Sequence, residues 1–310
     1  MTQQNDHIAI LMGTMQGEAY LAEQLDSIEA QDHRNWALWA SDDGSTDGTL
    51  ALLERYRQRW GADRLHILQG PRKGFAANFL SLVCQPRLAT DYCAYADQDD
   101  FWEPTKLSRS LSALRTLPDD IPTMYCARTR LVDEQGKELG LSWRFPKEPT
   151  FRNALAQSIG GGNTMLVNRM TLDLMRRIGP ELSILNHDWW TYMLVTGCGG
   201  RVIYDPVPSV HYRQHGRNVV GTNLGLQAAA WRARELLRGR LKSWNDQNTA
   251  SLAKVRSFLT PENARVFDEF CLARRGPLLK RAWHLWRSGI YRQQLTGNIG
   301  VVVALLFDRL

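Results

Sequence analysis

Short apolar runs alternate with amphipathic helical patterns over the first two hundred residues of the chain. Four apolar runs have the length of buried strands and lie at 7–12, 36–40, 65–68 and 91–96. Three segments between them carry apolar residues at helical spacing and lie at 18–31, 50–60 and 74–82. This alternation predicts an α/β fold with a largely parallel sheet and helices on both of its faces.

The rest of the chain changes character about two thirds of the way along. Residues 123–129 and 164–167 are strand-like, and three consecutive glycines stand between them at 160–162. Such a run indicates either a flexible loop or a close approach of the backbone to a ligand. Further along, the pattern becomes helical and basic. We therefore predict a domain of residues 1–220 and a basic helical extension of residues 221–310.

The composition is that of an ordinary globular protein. Of its 310 residues, 44% are apolar and 23% are charged. The five cysteines are scattered without a Cys-x-x-Cys pair, which predicts a reducing compartment and neither a disulfide framework nor a zinc site. Residues 1–15 lack a signal-peptide pattern, and the longest apolar run, 299–307, is too short to span a bilayer. We expect a cytoplasmic protein or one bound to a membrane surface.

The net charge of +6 is distributed unevenly. From Ala228 onward there are 15 Lys/Arg and 6 Asp/Glu, so this part carries +9 and the preceding 227 residues carry −3. Tryptophans alternate with Arg and Lys there, which suits helices on an anionic membrane surface. A solvated basic face over a packing helix is the alternative. We expect no nucleic-acid partner, because no nucleic-acid motif is present and the acidic first part would repel a phosphate backbone.

Three carboxylates within four residues follow the apolar run at 91–96, in the sequence Asp-Gln-Asp-Asp at 97–100. Like charges so close together repel one another in a folded protein unless a cation lies among them. At the carboxyl end of a strand they suit Mg²⁺ or Mn²⁺ that also holds a phosphate. The alternative is an acidic surface turn that opens the next helix, where acidic residues are favoured.

A second acidic loop, residues 42–49, follows the second apolar run. Asp42 at the strand end can accept a hydrogen bond from the imide of uracil or thymine or from a ribose hydroxyl. Thr46 or Asp47 can cap the following helix. A plain turn with a helix cap explains the same residues. A calcium loop does not, because Leu53 stands where a terminal Glu is required.

Several separated blocks together resemble one enzyme family. The blocks are Thr14 with 17–18, the loop 42–49, Gly74 with Asn78, the run 97–102, and the stretches 186–190 and 211–215. In this order they resemble the family-two glycosyltransferases of the GT-A fold, in particular the bacterial branch that includes rhamnosyltransferases of surface polysaccharides. The resemblance covers roughly residues 7–220. It implies a Rossmann-like, mainly parallel mixed sheet, with residues 221–310 as a helical C-terminal extension.

The resemblance also implies which residues bind the donor nucleotide, namely Thr14, Glu18, Asp42, Asp43, Arg72, Lys73, Asn78 and Asp97. Thr14 and Asp42 would hold the base, with Glu18 and Asp43 in support. The basic pair at 72–73 would lie on the base or on the diphosphate.

The same resemblance implies a metal site. Asp97 would contact the ribose or the hydration shell of the metal, and Asp99 would bind the Mg²⁺ or Mn²⁺ that bridges the donor phosphates. These two residues form an Asp-x-Asp motif. His211 would complete the metal shell, while Arg213 and His215 are the candidates for contacting the diphosphate.

The chemistry of sugar transfer calls for residues of these types. Departure of a nucleoside diphosphate builds up negative charge, which a metal and basic groups stabilise. Asp188 matches the general base of the family and would take the proton of an acceptor hydroxyl that attacks from the opposite face, which inverts the anomeric centre. Trp189 and Trp190 would either stack on an acceptor sugar or serve the core. His187 stands where many relatives carry Glu.

The branch predicts a metal-dependent transfer of L-rhamnose from dTDP-L-rhamnose to lipopolysaccharide or another glycan or glycolipid, by a peripheral protein on the inner face of the bacterial plasma membrane. A UDP-hexose or UDP-N-acetylhexosamine transferase is the alternative, since Met15 and Gln16 replace the aromatic residue and Asn that are common in relatives. A nucleotidyltransferase would need a basic residue in the turn 13–18, which has none. A non-catalytic nucleotide-sugar-binding protein would need neither the metal-binding acids nor the general base.

Overall fold

The computed structural model describes residues 6–215 and 238–310. The strands are β1 (Ile8–Thr14), β2 (Trp36–Asp42), β3 (Leu65–Gln69), β4 (Tyr92–Ala96), β5 (Phe101–Trp102), β6 (Thr123–Ala127), β7 (Arg130–Val132), β8 (Glu138–Leu141), β9 (Leu166–Asn168), β10 (Arg201–Asp205) and β11 (Val210–Arg213). Seven of them form a central sheet in the order β10-β6-β9-β4-β1-β2-β3.

The central sheet is mainly parallel, as predicted. Strand β1 pairs in parallel with β2 and β4, and β2 pairs in parallel with β3. Only β9 runs against its neighbours β4 and β6. Strands β1 and β2 are buried along almost their whole length, which explains why their sequences are apolar without alternation. Their carboxyl ends therefore meet at one edge of the sheet.

Helices cover both faces of this sheet and build the C-terminal part. They are α1 (Leu21–Glu29), α2 (Thr49–Trp60), α3 (Phe75–Val83), α4 (Lys106–Leu114), α5 (Phe151–Ala154), α6 (Arg169–Ile178), α7 (His187–Gly197), α8 (Arg240–Lys254), α9 (Pro261–Ala273), α10 (Leu278–Ser288) and α11 (Leu295–Leu306). The three helices predicted from apolar spacing correspond to α1, α2 and α3. In α1 the residues Leu21, Leu25 and Ile28 are buried, as their spacing predicts.

Four strands form a second sheet in the order β5-β11-β7-β8, beside the acidic stretch at 97–100. Strand β5 follows that stretch directly and pairs antiparallel with β11. Strand β11 also pairs in parallel with β7. The sequence did not predict this sheet, because β5 has only two residues and its partner lies more than a hundred residues away.

The C-terminal helices share a hydrophobic core with the first part of the chain. Leu305 of α11 lies in the same buried cluster as Trp190 of α7. The backbone N–H of Thr260 also donates to the carbonyl of Gly197 at 3.0 Å. The predicted boundary at residues 220–221 lies outside the described residues and stays a prediction. Among the helices described, none combines the length and the hydropathy needed to cross a membrane.

Lys106, the first residue of α4, is fully buried. Its ammonium nitrogen lies 3.6 Å from the ring centroid of Trp102 in a cation–π contact. Within the part of the chain that the structure describes, this nitrogen has no hydrogen-bond partner. Burial lowers the pKa of Lys106 to about 7. The protonated amine therefore costs free energy of folding, and this cost falls as the pH rises.

We expect Lys106→Met to raise the free energy of unfolding near neutral pH by about 1–4 kcal/mol, because the apolar side chain avoids the burial of an amine. The pKa of this amine is about 7 in the folded chain and 10.5 ordinarily, so between these values only the unfolded chain binds the proton. The wild-type free energy of unfolding should therefore rise with pH in this window, relative to that of the variant. Urea unfolding near neutrality and at about pH 9.5 measures the difference.

The exposed Lys137→Met serves as the control for this comparison and should follow the wild type at both pH values. If the free energy of unfolding changed with pH equally in the wild type and in Lys106→Met, this would contradict the expectation.

Candidate active site

Thr14 and Asp42 end the neighbouring strands β1 and β2, whose parallel register sets them side by side. The Thr14 hydroxyl donates to the Asp42 carboxylate at 2.9 Å. The same carboxylate accepts from the backbone N–H groups of Gly44 at 3.1 Å and Ser45 at 2.7 Å, and from the Ser45 hydroxyl at 2.6 Å. Asp42 therefore shapes the loop after β2, and its contact with a nucleotide base stays a prediction.

Asp43 connects this loop to the turn that precedes α3. One oxygen of its carboxylate accepts from the backbone N–H of Arg72 at 2.6 Å, and the other accepts from that of Gly74 at 3.0 Å. Arg72 and Gly74 have φ angles of +56° and +88°, which makes the turn tight. The side chains of Arg72 and Lys73 remain exposed. A carboxylate thus holds an exposed basic pair beside the loop after β2.

Glu18 ties the turn after β1 to the loop after β2, because its carboxylate accepts from a backbone N–H of that loop at 2.9 Å. Gln16 contacts the same loop, and its side-chain oxygen accepts from the N–H of Thr46 at 2.7 Å. Gln98, in the acidic stretch, contacts the same turn, because its side-chain amide exchanges two hydrogen bonds with the Met15 backbone at 2.8 and 2.9 Å. Sequence reasoning assigned no role to Gln16 or Gln98, although Gln16 stands where the turn departs from the family pattern.

Asn78 is buried on α3 and bridges that helix to β2. Its amide nitrogen donates to the carbonyl of Ser41 at 2.8 Å, and its amide oxygen accepts from the Ser41 hydroxyl at 2.6 Å. These bonds fix α3 beside the strand that carries Asp42. The nucleotide contact predicted for Asn78 stays a prediction.

Asp97 interacts electrostatically with Asp99 and with Asp188, although α7 lies far along the chain from β4. Burial, followed by the charges of Asp99 and Asp188, raises the pKa of Asp97 to about 8. Carboxylates that share a site favour a proton or a cation among them. The fold therefore unites two predicted metal ligands with the predicted general base.

Asp100 is fully buried and anchors the acidic stretch to the rest of the protein. One of its oxygens accepts from the backbone N–H of Arg213 on β11 at 3.0 Å, and the other accepts from the side-chain amide of Asn163. Burial and the charges of Asp99 and Asp97 raise the pKa of Asp100 well above its ordinary value. Asn163 follows the glycines at 160–162, so the glycine loop is attached to the acidic stretch.

Arg213 is a buried cation beside this stretch. Its guanidinium donates to the carbonyl of Asp99 at 3.0 Å and to that of Glu134 at 2.6 Å, and it pairs with the side chain of Glu23. Arg213 therefore holds three segments of the chain together. Its predicted contact with a diphosphate stays a prediction.

The two histidines near the end of β11 make different contacts. Nε2 of His215 lies 2.8 Å from a carboxylate oxygen of Asp99, and the His215 ring stacks on Tyr20 with a centroid distance of 5.3 Å. Nε2 of His211 lies 2.7 Å from the Glu103 carboxylate. The structure therefore pairs Asp99 with His215, while the metal role predicted for His211 stays a prediction.

Asp97 and Asp99 are the residues that would hold a divalent metal, because carboxylate oxygens are its usual ligands. Within residues 6–215 and 238–310, no group of three or more His, Cys, Asp or Glu side chains is placed to hold a metal ion. An open site needs fewer protein ligands, because Mg²⁺ usually keeps several waters and takes one or two carboxylates together with substrate phosphates. Burial and the charges of Asp99 and Asp188 raise the pKa of Asp97, so its carboxylate takes up a proton more readily than usual. The residues present fit an open Mg²⁺ or Mn²⁺ site.

Asp188 lies in the first turn of α7, where its carboxylate accepts from the backbone N–H of Trp189 at 2.6 Å. Burial raises the pKa of Asp188 to about 6, which suits a group that takes up a proton near neutral pH.

Trp189 and Trp190 are both buried, and the Trp189 indole donates to the carbonyl of Ala154 at 2.7 Å. Of the two roles considered for these tryptophans, the structure supports the core.

His187 precedes Asp188 and is only 5% exposed. Its ring stacks on Phe79 with a centroid distance of 3.7 Å. Neither ring nitrogen has a hydrogen-bond partner in the described ranges, and burial lowers the pKa of His187 to about 3. A Cβ at Gly162 would clash with Nε2 of this ring. The glycine loop therefore approaches α7 closely, and a neutral His187 fills the space between α7 and α3.

Comparison with known proteins gives a family and several relatives. Residues 9–172 match the family described as glycosyl transferase family 2. The chain is 27% identical over 231 residues to the dTDP-rhamnosyl transferase RfbG of Shigella flexneri, which covers 70% of this chain and 76% of that protein. It is 25% identical over 173 residues to the putative teichuronic acid biosynthesis glycosyltransferase TuaG of Bacillus subtilis, covering 54% and 65% respectively.

Solved structures with the same fold include two complexes with nucleotide sugars. S. aureus TarS 1-349 in complex with UDP-GlcNAc aligns with a TM-score of 0.55 at 17% identity, over 92% of this chain and 93% of that one. The mannosyltransferase PcManGT from Pyrobaculum calidifontis, in complex with GDP-Man and Mn²⁺, aligns with a TM-score of 0.53 at 17% identity, over 99% and 88%. At these identities the likeness concerns the fold alone.

We expect Gly162→Ala to lower the free energy of unfolding by about 1–3 kcal/mol, because the added methyl group would clash with the His187 ring and lie 3.4 Å from Cβ of Asp188. Urea unfolding measures the change. Gly300→Ala is the matched control, since a Cβ there meets nothing within 4 Å. This control should be neutral or stabilising by up to about 1 kcal/mol, because Ala favours a helix. Equal stability of the two variants would mean that the glycine loop has room for a side chain.

Proposed function

The chain belongs to glycosyl transferase family 2 and has the GT-A fold, and we propose that it transfers L-rhamnose from dTDP-L-rhamnose to lipopolysaccharide or another surface glycan. Glycosyltransferase activity follows from the family, which favours it over a nucleotidyltransferase or a non-catalytic binding protein. Likeness to the S. flexneri dTDP-rhamnosyl transferase supports the rhamnose donor. The fold shared with TarS, which was solved with UDP-GlcNAc, supports a UDP-hexose or UDP-N-acetylhexosamine donor as the second candidate.

The electrostatic interaction of Asp97 with Asp99 and with Asp188 is the observation that carries the proposed mechanism. A transferase of this kind needs charge stabilisation at the leaving diphosphate and a proton acceptor at the attacking hydroxyl. The interaction of Asp188 with Asp97 brings candidates for both tasks to one edge of the sheet. Their separation in the sequence makes this grouping a property of the fold.

Asp97 and Asp99 are the proposed ligands of Mg²⁺ or Mn²⁺. When bound, the ion neutralises charge on the diphosphate as the sugar departs. Mn²⁺ in the complex of the P. calidifontis mannosyltransferase supports metal use in this fold. His215 holds Asp99 in the present arrangement, whereas His211 would have to leave Glu103 to act as a third ligand.

The donor nucleotide is proposed to lie against the loops after β1, β2 and β3. The residues proposed to contact it or to shape its site are Thr14, Glu18, Asp42, Asp43, Arg72, Lys73, Asn78 and Asp97. The exposed pair at 72–73 supplies positive charge for the diphosphate. The buried residues among them shape the loops through the hydrogen bonds that they already make.

Asp188 is the proposed general base. It takes the proton of the acceptor hydroxyl while the hydroxyl oxygen bonds to the anomeric carbon. The bond from that carbon to the donor phosphate oxygen breaks, and the nucleoside diphosphate leaves with the electron pair. Attack from the opposite face inverts the anomeric centre, so a β-linked rhamnose donor gives an α-rhamnoside.

The acceptor is proposed to be a glycan or glycolipid at the inner face of the bacterial plasma membrane, where the protein binds peripherally. The excess of Lys and Arg after Ala228 supports attraction to anionic lipid headgroups. This basic segment favours a membrane surface as the partner. We propose no nucleic-acid partner.

Thermal unfolding with added nucleotides tests the donor. We expect dTDP with Mn²⁺ to raise the Tm more than UDP or GDP with Mn²⁺, and dTDP alone to raise it less. A ligand that binds only the native state stabilises it by about 2.7 kcal/mol at a hundredfold excess over Kd. The control Asp99→Asn should lose the metal-dependent part of the shift. Preference for UDP would move the donor to the second candidate, and no response to any nucleotide would overturn the proposed activity.

Replacement of Asp188 tests the general base. We expect Asp188→Asn to lower kcat by about 10²–10⁴-fold and to leave nucleotide binding unchanged, since the base acts on the acceptor. The wild-type kcat/KM should fall as the pH drops below about 6, because the raised pKa of Asp188 leaves the carboxyl protonated there. Asp120→Asn, at an exposed position, is the control and should behave as the wild type. Near-normal transfer by Asp188→Asn would reject this role.

A further inference from the structure

Helix α11 is apolar on both of its long sides, yet only one side is covered. Val301, Ala304 and Leu305 are buried against the core. On the other side an apolar stripe at helical spacing is 51–76% exposed, and it consists of Leu295, Ile299, Val302 and Leu306. A helix that is apolar all round is normally buried on every side. The uncovered stripe therefore needs an apolar partner.

Helix α10 repeats this pattern immediately before α11. Leu279, Trp283 and Trp286 are spaced four and three residues apart and are 85%, 55% and 72% exposed. The two indole rings contact each other with a centroid distance of 5.1 Å. Exposed tryptophans prefer the boundary between water and hydrocarbon, because one edge of the ring is apolar and the other carries a polar N–H group.

Positive charge surrounds these stripes. Between residues 272 and 310 the chain has seven Lys/Arg and one Asp/Glu. Arg275, Lys280, Arg287 and Arg309 are exposed. Basic residues near an apolar helix face favour anionic lipid headgroups, which attract each cation that approaches the surface.

We propose that the exposed stripes of α10 and α11, here called the α10–α11 apolar face, bind the interfacial region of an anionic lipid bilayer. The helices lie in the plane of the surface. Helix α11 has 12 residues and is therefore about 18 Å long, whereas the hydrocarbon core is about 30 Å thick. Binding of the α10–α11 apolar face to anionic lipid is expected with either candidate sugar donor.

The residues between α10 and α11 are hydrogen-bonded to Asn153, which also contacts α7. The side-chain amide of Asn153 donates to the carbonyl of Tyr291 at 2.9 Å, and its oxygen accepts from the hydroxyl of Tyr192 on α7 at 3.0 Å. The backbone N–H of Lys147 donates to the side chain of Gln293 at 2.8 Å. Helix α7, which carries the proposed general base, is thus joined through Asn153 to the link between α10 and α11.

A cleft of about 610 Å³ adjoins the start of α11. Trp143, Arg144 and Leu295 are among its lining residues, so one member of the exposed stripe also faces the cleft. The α10–α11 apolar face and this cleft therefore adjoin each other at Leu295.

A second copy of the chain is a less suitable occupant of the face. Two copies that met through it would bring together two segments that each carry seven cations and one acid. Such like charges oppose association, whereas an anionic bilayer supplies the opposite charge.

Sedimentation of the full chain with lipid vesicles tests the proposal. We expect binding to vesicles of phosphatidylglycerol and phosphatidylcholine, and at least about tenfold weaker binding to phosphatidylcholine alone. The double variants Trp283→Ala/Trp286→Ala and Ile299→Glu/Val302→Glu should each weaken binding at least about tenfold, because each removes apolar area from the bilayer contact. Circular dichroism should show unchanged folding, since these side chains are exposed.

Leu139→Glu is the matched control, because Leu139 on β8 is 51% exposed, as is Val302 on α11. This variant should bind vesicles as the wild type does. Wild-type chain that stays in the supernatant with anionic vesicles would overturn the proposal. So would unchanged binding by both double variants, or a wild-type dimer that the double variants convert to monomer while vesicle binding persists. The assay contains no nucleotide, so its failure is distinguishable from failure of the proposed transfer.

Discussion

Carboxylates crowd together where β4 ends, and repulsion among Asp97, Asp99 and Asp100 and between Asp97 and Asp188 opposes the folded state. The pKa values of Asp97 and Asp100 are raised by burial and by their acidic neighbours. Arg213 counters part of this charge through its bonds to the loop, and a backbone N–H group and an amide satisfy Asp100. The remaining excess of negative charge underlies the proposed binding of a divalent cation at this edge of the sheet.

The loops around these acids are stiffened by side chains that bond to backbone. Asp42 accepts from main-chain groups of its own loop, while Asp43, Glu18 and Gln98 each bond to main-chain groups of a neighbouring segment. The loops after β1 and β2 therefore support each other, and the acidic stretch is fixed to the turn after β1 through Gln98. A site built in this way holds its shape before a ligand arrives, which lowers the entropy that binding has to offset.

The sequence predicted the parallel sheet and the strand ends because continuous apolar runs record burial on both faces. It could not predict the second sheet, since β5 is a two-residue strand whose partner β11 is remote in the chain. The same limit applies to His211 and His215, whose partners depend on how β11 pairs. Lys106 shows a further limit, because a lysine at a helix start has the pattern of an exposed residue and is buried only through tertiary packing.

The bond from Arg213 to Asp100 spans 113 residues of chain. During synthesis the acids after β4 therefore leave the ribosome long before the arginine that orders them. Until then the nascent segment can make its contacts with earlier residues, such as that of Gln98 with Met15, but lacks its bonds to Arg213. Contacts between distant residues form slowly because a long loop must close first. Completion of the acidic edge is thus a late step in the life of each new chain, and a chain truncated before β11 would keep its central strands without an ordered edge.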